Sequence, residues 1–457
     1  MFFKNIRSAS TNKRFCSRLF STPSFFFPKS CPTSIPKIIM GSVNTKSALE
    51  QAELDLVKWG IAWHESTPLV RATRAKRLKD PVHVNIKDVS LDESSHIHTQ
   101  EYYRNSTDMS NTPLVLIHGY AQSASQFYAT APALASEYNG PVVAIDQIGC
   151  GLSTRNKWLG GFGPDSNVKE AESIFVEALE KWRVSMKYEK VILCAHSMGA
   201  YTSVRYSERY PHRVDKLILL SPAGVPEPKE DPRYSPANLP WYFRLARKLW
   251  NKGYGPFDLA RMPVVGRTVS DKYTYKRYPD RSWIPKPLLA EQLYYNWIHD
   301  NISIGGYCHS VILQPGAYAR EPLCHVLPDV IDRIGHVAFI YGEKDWMTIS
   351  AAETVVQAHK DRQLLPSGDP RKALPKRAEI YRLGAAGHSF LVDNPLALAD
   401  AILLAMDEHK SVSEDVVDLG AEYVAADQSL GLRAHHLGFN QHVKWSEHDA
   451  GAVPGAA

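Results

Sequence analysis

One strand-to-helix stretch constrains the fold of this 457-residue chain more than any other. The apolar run from Val191 to Cys194 predicts a buried strand, and the residues after Gly199 predict a helix. Between them the pentapeptide AHSMG, residues 195–199, matches the G-x-S-x-G pattern with alanine in the first glycine position. Small residues two positions before and after Ser197 allow a tight turn that lifts its hydroxyl above the sheet, so Ser197 is a candidate nucleophile.

Short apolar segments alternate with amphipathic ones along most of the chain, which predicts an α/β fold with a mostly parallel sheet and helices on both faces. The alternation stops at about residue 223 and resumes at about residue 330. The intervening residues carry many prolines, tryptophans and tyrosines but no apolar strand. We therefore expect a helical lid to be inserted into the α/β core.

These patterns divide the chain into six predicted segments. They are a targeting leader (1–39), an N-terminal helical segment (40–85), the first part of the core (86–222), the lid (223–329), the second part of the core (330–410) and a polar tail (411–457). With 44% hydrophobic and 22% charged residues, the chain is predicted to be globular rather than disordered. It has no run of about 18 apolar residues, so any membrane attachment is expected to be peripheral.

A serine hydroxyl needs a base and an orienting acid to become a nucleophile. The segment FIYGEKDWM ends one predicted strand and presents Asp345, and YRLGAAGHSF ends the next and presents His388. Their order, Ser197, Asp345, His388, is that of a catalytic triad in which His388 takes the serine proton and Asp345 fixes its tautomer. Asp146 and Glu343 are rival acids, and Asp146 is interpreted as anchoring the turn that follows it.

Two backbone N–H groups are candidates to bind the oxyanion that forms during acyl transfer. One belongs to Met198, at the start of the predicted helix, where the helix dipole adds partial positive charge. The other belongs to Tyr120, which follows His118 and Gly119 at the end of an early strand.

Several segments together resemble the α/β-hydrolase domain-containing 4/5 lipid-enzyme family. They are HGYAQSASQFYA, AIDQIGCGLSTR, AESIFVEALEKWR, AHSMGAYTSVRYSERYP and AAGHSFLVDNP, and the similarity runs from about residue 48 to 410. The segments resemble especially the fungal mitochondrial members of this family, which remove an acyl chain from cardiolipin. This implies a serine phospholipase that converts cardiolipin to monolysocardiolipin and a free fatty acid, for mitochondrial phospholipid remodelling. The chain departs from the family where Ala195 and Ala200 replace glycine.

The resemblance leaves a second reaction open. The family's H-x-x-x-x-D motif is present as His388 to Asp393 and includes the candidate base. In relatives it has been linked to acyl transfer from acyl-CoA onto lysophosphatidic acid. A third possibility is a non-catalytic protein that binds lipid or activates a lipase, although the intact serine, aspartate and histidine set argues against it. His196 and Gly199 complete the motif around the serine.

The predicted lid is strongly basic. Residues 232–286 contain twelve Lys or Arg and three acidic residues. Within WYFRLARKLWNKGYG, basic residues fall on one helical face, and Trp241 lies with two leucines on another. That pattern predicts an interfacial helix that binds an anionic membrane surface such as cardiolipin, although a lid helix packed on the core is an open alternative. The basic residues are Arg244, Arg247, Lys248 and Lys252.

The leader is basic and lacks acidic residues. Residues 1–39 hold seven Lys or Arg and no Asp or Glu, so the net charge of +5 leaves 5 − 7 = −2 for the rest. This composition, with Arg18 placed for cleavage before Ser21, predicts a mitochondrial transit peptide and a location on the matrix side of the inner membrane. A start at Met40 would instead place Gly41 for myristoylation.

The composition also excludes several partners. No nucleic-acid-binding motif accompanies the basic lid, so no nucleic acid is expected. The six cysteines show no C-x-x-C spacing, which favours a reducing compartment, and the mechanism implies no metal or cofactor.

Overall fold

The structure is a computed structural model that describes residues 45–66, 70, 80–227, 241–255, 258–261, 265–299, 303–369, 372, 377–407 and 417–419. The predicted leader and nearly all of the predicted tail lie outside the described residues.

A nine-stranded sheet forms the centre of the fold, in the order β1-β2-β4-β3-β5-β6-β9-β10-β11. Strands β1 and β2 pair antiparallel, β2 pairs antiparallel with β4, and the remaining neighbours are parallel. The strands are β1 (His83–Ser90), β2 (His96–Tyr103), β3 (Leu114–Ile117), β4 (Val142–Ile145), β5 (Val191–His196), β6 (Val214–Leu220), β9 (His336–Gly342), β10 (Arg377–Leu383) and β11 (Val417–Leu419).

The sequence explains which strands are central. Strands β3, β4 and β5 are buried along their whole length, and they consist almost entirely of apolar residues because helices cover both faces. Strand β3 lies between β4 and β5, so the order of winding reverses there. In open α/β sheets, ligands bind beyond the carboxyl ends of the strands at such a point. The predicted α/β architecture is confirmed.

Twelve α-helices are described. Outside the lid they are α1 (Thr45–Ser66), α2 (Thr130–Ala135), α3 (Val168–Ser185), α4 (Met198–Arg209), α9 (Leu327–Ile334), α10 (Ser350–Gln363), α11 (Phe390–Asp393) and α12 (Pro395–Met406). Between β6 and β9 lie α5 (Trp241–Trp250), α6 (Gly266–Arg277), α7 (Lys286–His299) and α8 (Ile304–Ile312). A two-stranded hairpin follows α8, formed by β7 (Leu313–Gln314) and β8 (Tyr318–Ala319).

Helix α9 packs on β6 and β9 rather than on the lid helices. Its buried residues, Leu327, Val330 and Ile331, join the apolar layer on that side of the sheet. The helix begins at Leu327, within three residues of the predicted start of the second part of the core at residue 330.

The N-terminal helix α1 joins the lid to the core. It packs along α7, and its Trp63 ring lies edge-on to Trp283 with centroids 6.0 Å apart. The Trp63 indole N–H donates to Oγ of Ser282 at 3.3 Å, and Trp283 donates to the carbonyl of Val392 at 2.9 Å. Helix α7 is thus fixed from both sides by buried aromatic residues.

Candidate active site

The turn that carries Ser197 is sharp and strained. Ser197 has φ +53°, a left-handed value that costs a non-glycine residue energy and that persists only when its surroundings enforce it. Its N–H donates to the carbonyl of Leu220 at 2.8 Å, and its carbonyl accepts from Ala223 at 3.1 Å. A Cβ on Gly199 would lie 2.3 Å from the carbonyl oxygen of His118, so only glycine fits there. Ala195, which departs from the motif, is accommodated as the buried penultimate residue of β5.

Ser197, His388 and Asp345 are brought together at the carboxyl ends of β5, β10 and β9. Nε2 of His388 lies 3.1 Å from Oγ of Ser197. Nδ1 of His388 lies 3.1 Å from Oδ1 and 3.3 Å from Oδ2 of Asp345. An imidazole held by a carboxylate on one nitrogen and facing a hydroxyl with the other can act as a general base toward that hydroxyl.

The side chain of Asp345 is buried, yet its environment favours the ionised carboxylate. Burial raises the pKa of its carboxyl, and hydrogen bonds from His388 and Ser221 outweigh that effect, so the pKa lies below the usual value. Met347 also donates its backbone N–H to Oδ1 at 2.9 Å. The negative charge is therefore stable at neutral pH and can stabilise an imidazolium on His388.

The predicted oxyanion donors flank Ser197. Met198 is the first residue of α4, so its N–H has no acceptor within the helix. On the other side, Gly119 presses against the serine, since a Cβ on it would lie 3.1 Å from Cβ of Ser197. Tyr120 follows in a turn that is closed by Gln122 N–H donating to the Gly119 carbonyl at 3.3 Å.

His118 and His196 support this geometry. His118 donates from Nδ1 to the Gly119 carbonyl at 2.8 Å and accepts at Nε2 from the Gln147 N–H at 3.0 Å. His196 donates from Nε2 to the His388 carbonyl at 2.9 Å. Burial, with a smaller contribution from the neighbouring His388, lowers the pKa of His196 to about 3, so it stays neutral. Both histidines act as fixed hydrogen-bonding groups.

The rival acids are engaged elsewhere. Asp146 accepts the backbone N–H of Ala124 at 2.6 Å and that of Leu152 at 2.7 Å, so it anchors the turn after β4 as interpreted from the sequence. Glu343 accepts the N–H of Ala385 at 2.9 Å.

Asp393, the acid of the H-x-x-x-x-D motif, supports the loop that carries His388. Its Oδ2 accepts the backbone N–H of Gly387 at 3.0 Å. Arg277, at the end of lid helix α6, pairs with both oxygens of the carboxylate at 3.4 and 3.3 Å. Burial raises the pKa of Asp393, and Arg277 opposes the shift. The contacts of Asp393 thus join the lid to the His388 loop.

Helix α5 presents both of its predicted faces to the exterior. The side chains of Arg244, Arg247, Lys248 and Lys252 are exposed, as are Leu245 (49%) and Leu249 (42%). Other lid cations are neutralised by carboxylates, as in the Arg261–Asp258 and Lys286–Asp280 pairs. Within the described part of the chain, no carboxylate pairs with the three cations of α5 or with Lys252, which lies in the turn after it. Trp241 begins the helix, but its side chain lies outside what the structure describes.

A half-exposed indole lies beside the triad. The Trp346 ring centroid lies 5.1 Å from that of His388, and 52% of the residue is exposed.

No described helix combines the length and apolar character that crossing a bilayer would require.

One surface group could offer several ligands to a metal ion. Donor atoms of Glu227, Cys324 and His325 lie within 4.8 Å of one another. His325 and Glu227 already form an ion pair at 2.7 Å, which accounts for their proximity without a metal.

Sequence patterns did not single out Ser221, Gln122 or Arg277. Ser221 has φ +45°, and its Oγ donates to Oδ2 of Asp345 at 2.6 Å and lies 3.1 Å from Nδ1 of His388. Its position in the sequence could have indicated Ser221, because this residue directly follows β6, at the same sheet edge as the triad. Arg277 is one of many lid cations, so its pairing with Asp393 depends on tertiary structure.

Comparisons with known proteins agree with this architecture. Residues 112–395 match a protein family described as alpha/beta hydrolase fold. A probable 1-acylglycerol-3-phosphate O-acyltransferase from Oryza sativa subsp. japonica is 30% identical over 308 residues, which cover 65% of this chain and 67% of that protein. A 1-acylglycerol-3-phosphate O-acyltransferase ABHD5 from Pongo abelii is 35% identical over 149 residues, or 33% of this chain and 38% of that one. Among solved structures, carboxylesterase CesB (YbfK) from Bacillus subtilis superposes with a TM-score of 0.50 at 18% identity, covering 80% of this chain and 99% of that one.

Proposed function

The chain belongs to the α/β-hydrolase fold family, in its ABHD4/5-like group, and from this premise we propose that it is a serine-dependent acyl hydrolase acting on a phospholipid. The observation that carries the proposal is the 3.1 Å approach of His388 Nε2 to Ser197 Oγ, with Asp345 on the other imidazole nitrogen. Because proteins of this fold have many different activities, the activity is inferred from the residues of the site.

The first half-reaction acylates the serine. Oγ of Ser197 attacks the carbonyl carbon of the lipid ester while Nε2 of His388 takes the hydroxyl proton. The N–H groups of Met198 and Tyr120 bind the oxyanion of the tetrahedral intermediate. The intermediate collapses, the bond from carbon to the glycerol oxygen breaks, and His388 delivers its proton to that oxygen. The lysophospholipid leaves, and the acyl chain remains on Ser197.

The second half-reaction releases the acyl chain. A water molecule attacks the acyl-serine carbonyl while His388 takes a proton from it. The second tetrahedral intermediate expels Ser197, which recovers its proton from His388, and a fatty acid is released. Asp345 keeps its negative charge throughout and stabilises the imidazolium that forms in each half.

Cardiolipin is the proposed substrate, and monolysocardiolipin is the proposed product. The exposed cations of α5 support this choice, because each cation near an anionic surface contributes about 1 kcal/mol to binding. Exposed Leu245 and Leu249 on the same helix can enter the acyl boundary. The basic leader supports a location at the matrix side of the inner mitochondrial membrane, where the protein would take part in phospholipid remodelling. Mass spectrometry of the mature N-terminus tests the location, with Ser21 as the expected first residue.

A second candidate is acyl transfer to lysophosphatidic acid, which is favoured by the acyltransferase activity named for the rice relative, 30% identical over 308 residues. Both reactions pass through an acyl-serine and differ in the acyl donor and in what attacks the acyl-serine. In transfer, Ser197 attacks the thioester carbonyl of acyl-CoA, and coenzyme A leaves as its thiol with the proton from His388. In transfer, the lysophosphatidic acid hydroxyl loses its proton to His388 and takes the acyl group, giving phosphatidic acid.

Oxygen-18 water separates the two reactions. The full-length protein is incubated in it with cardiolipin vesicles, with and without lysophosphatidic acid and acyl-CoA. Hydrolysis places an oxygen-18 atom in the released fatty acid and yields monolysocardiolipin. Formation of unlabelled phosphatidic acid, with cardiolipin left intact, would replace hydrolysis by transfer. If neither product forms and Ser197 does not react with a fluorophosphonate probe, the protein is a non-catalytic lipid binder or lipase activator.

A further inference from the structure

The turn formed by residues 119–122, called the oxyanion turn below, contains a strained residue of its own. Ala121 follows Tyr120 and has φ +57°, in the left-handed region that favours glycine. The turn has left-handed geometry at its third residue, as in a type II β-turn, where glycine or asparagine is usual. A non-glycine residue holds such a conformation only when surrounding contacts enforce it. The orientation of the Tyr120 peptide therefore depends on what fixes this turn.

Lid helix α7 supplies contacts that fix it. The indole N–H of Trp297 donates to the Ala121 carbonyl at 3.0 Å, and the amide of Asn296 donates to the same oxygen at 3.4 Å. One turn earlier in α7, Nε2 of Gln292 donates to Oγ of Ser123 at 2.7 Å. All three lid side chains are buried, with Gln292 and Asn296 fully inaccessible.

The described contacts from the core reach other parts of the same turn. The side chain of Gln122 accepts the Gly119 N–H at 3.0 Å, and Asp146 accepts the Ala124 N–H at 2.6 Å. The carbonyl of Ala121 instead faces the two lid donors. Since a catalytic N–H stabilises an oxyanion only when it is already correctly oriented, this carbonyl is where the lid acts on catalysis.

We propose that Trp297 is a positioning residue for the oxyanion hole, acting through its hydrogen bond to the strained Ala121 peptide. Asn296 shares this role as a second donor to the same carbonyl. The lid thereby completes the catalytic site in addition to covering it. The inference rests on the proposed serine mechanism.

The test compares two tryptophans whose indole N–H groups donate to different acceptors. Trp297→Phe removes the N–H that reaches Ala121 and keeps an aromatic ring. Trp63→Phe is the matched control, because Trp63 is equally buried and donates across the α1–lid contact to Ser282. Both variants are assayed with a soluble p-nitrophenyl ester and with a fluorophosphonate probe, about 15 °C below the lower melting temperature.

Trp297→Phe is expected to lower kcat and the labelling rate about tenfold with little change in KM, less than the ~10²–10³-fold cost of deleting an oxyanion donor. Trp63→Phe is expected to lower the melting temperature and leave kcat unchanged. Equal kcat in the two variants would overturn the positioning role. If Trp297→Phe does not fold, Asn296→Leu replaces it, with the same direction expected and unchanged kcat as the contradicting result. An unlabelled wild-type Ser197 would overturn the serine mechanism itself, and this role with it.

Discussion

The hydroxyl of Ser221 donates a hydrogen bond to Oδ2 of Asp345 at 2.6 Å, within 3.1 Å of Nδ1 of His388. A fully buried serine at the end of β6 therefore contacts both supporting members of the triad. Its hydrogen bond holds the carboxylate beside the imidazole and helps to keep the pKa of Asp345 low.

Ser221→Ala is expected to lower kcat about threefold to tenfold, because the Asp345 carboxylate loses one charge-assisted hydrogen bond worth ~1.5–3 kcal/mol but keeps His388. Loss of that bond raises the pKa of Asp345, so the loss of kcat/KM that accompanies protonation of this carboxylate begins at higher pH. Ser221→Thr restores the donor and is expected to recover part of the rate. An unchanged pH profile in the alanine variant would contradict this role.

Gly119→Ala is expected to reduce kcat by about 10²-fold or more, because the added methyl would disturb the oxyanion turn. Its Cβ would lie 2.9 Å from Nδ1 of His196 and 3.1 Å from Cβ of Ser197. Gly387→Ala is the matched control beside His388, since its Cβ would meet nothing closer than 3.5 Å. Comparable losses in both variants would show that the effect is not specific to the oxyanion side.

Arg277→Ala is expected to lower the free energy of unfolding by about 2 kcal/mol at pH 7, less than the ~3–5 kcal/mol for a fully buried pair. Asp393 already has a raised pKa in the fold, and loss of Arg277 raises it further. Folding then favours the protonated carboxyl, so the penalty is absent below the unfolded pKa of about 3.9 and grows as the pH rises through the folded pKa. Thermal unfolding across pH 4–8 measures this slope; a pH-independent penalty would contradict it.

Asp393→Asn is expected to keep at least about a third of kcat, because an asparagine oxygen still accepts the Gly387 N–H. It also removes the pH-dependent part of the Arg277 effect. Complete loss of activity in a folded Asp393→Asn variant would instead assign this carboxylate to the chemistry, as the acyl-transfer interpretation of the motif requires.

Replacing Arg247 and Lys248 with glutamine is expected to weaken binding to cardiolipin-containing vesicles about 30-fold, from ~1 kcal/mol for each cation. Hydrolysis of a soluble ester should be unchanged, since both side chains are exposed on α5. Lys187 and Lys190, exposed on the core, form the matched double control. Vesicle co-sedimentation at two salt concentrations measures the effect. If α5 has no membrane role, the two double variants will bind equally.

The local sequence predicted those features that depend on short-range pattern. The turn around Ser197 follows from small residues between an apolar strand and a helix, and Asp345 and His388 follow from their positions at strand ends. The exposed cations of α5 also agree with the predicted basic face. In each case one segment contains the full signal.

The remaining features depend on contacts between distant segments. Arg277 and Asp393 are 116 residues apart, and Trp297 lies 176 residues from Ala121. Nothing in the sequence around Arg277 distinguishes it from the other lid cations.

The most direct test of the central claim is lipid mass spectrometry of cardiolipin, phosphatidylcholine and phosphatidylethanolamine vesicles incubated with wild-type protein and Ser197→Ala. Ser203→Ala, a buried hydroxyl on α4, is the control. We expect the wild type and Ser203→Ala to form monolysocardiolipin. In Ser197→Ala the rate of its formation is expected to fall on the order of 10⁴-fold or more. Monolysocardiolipin formed at the wild-type rate by folded Ser197→Ala would contradict this expectation.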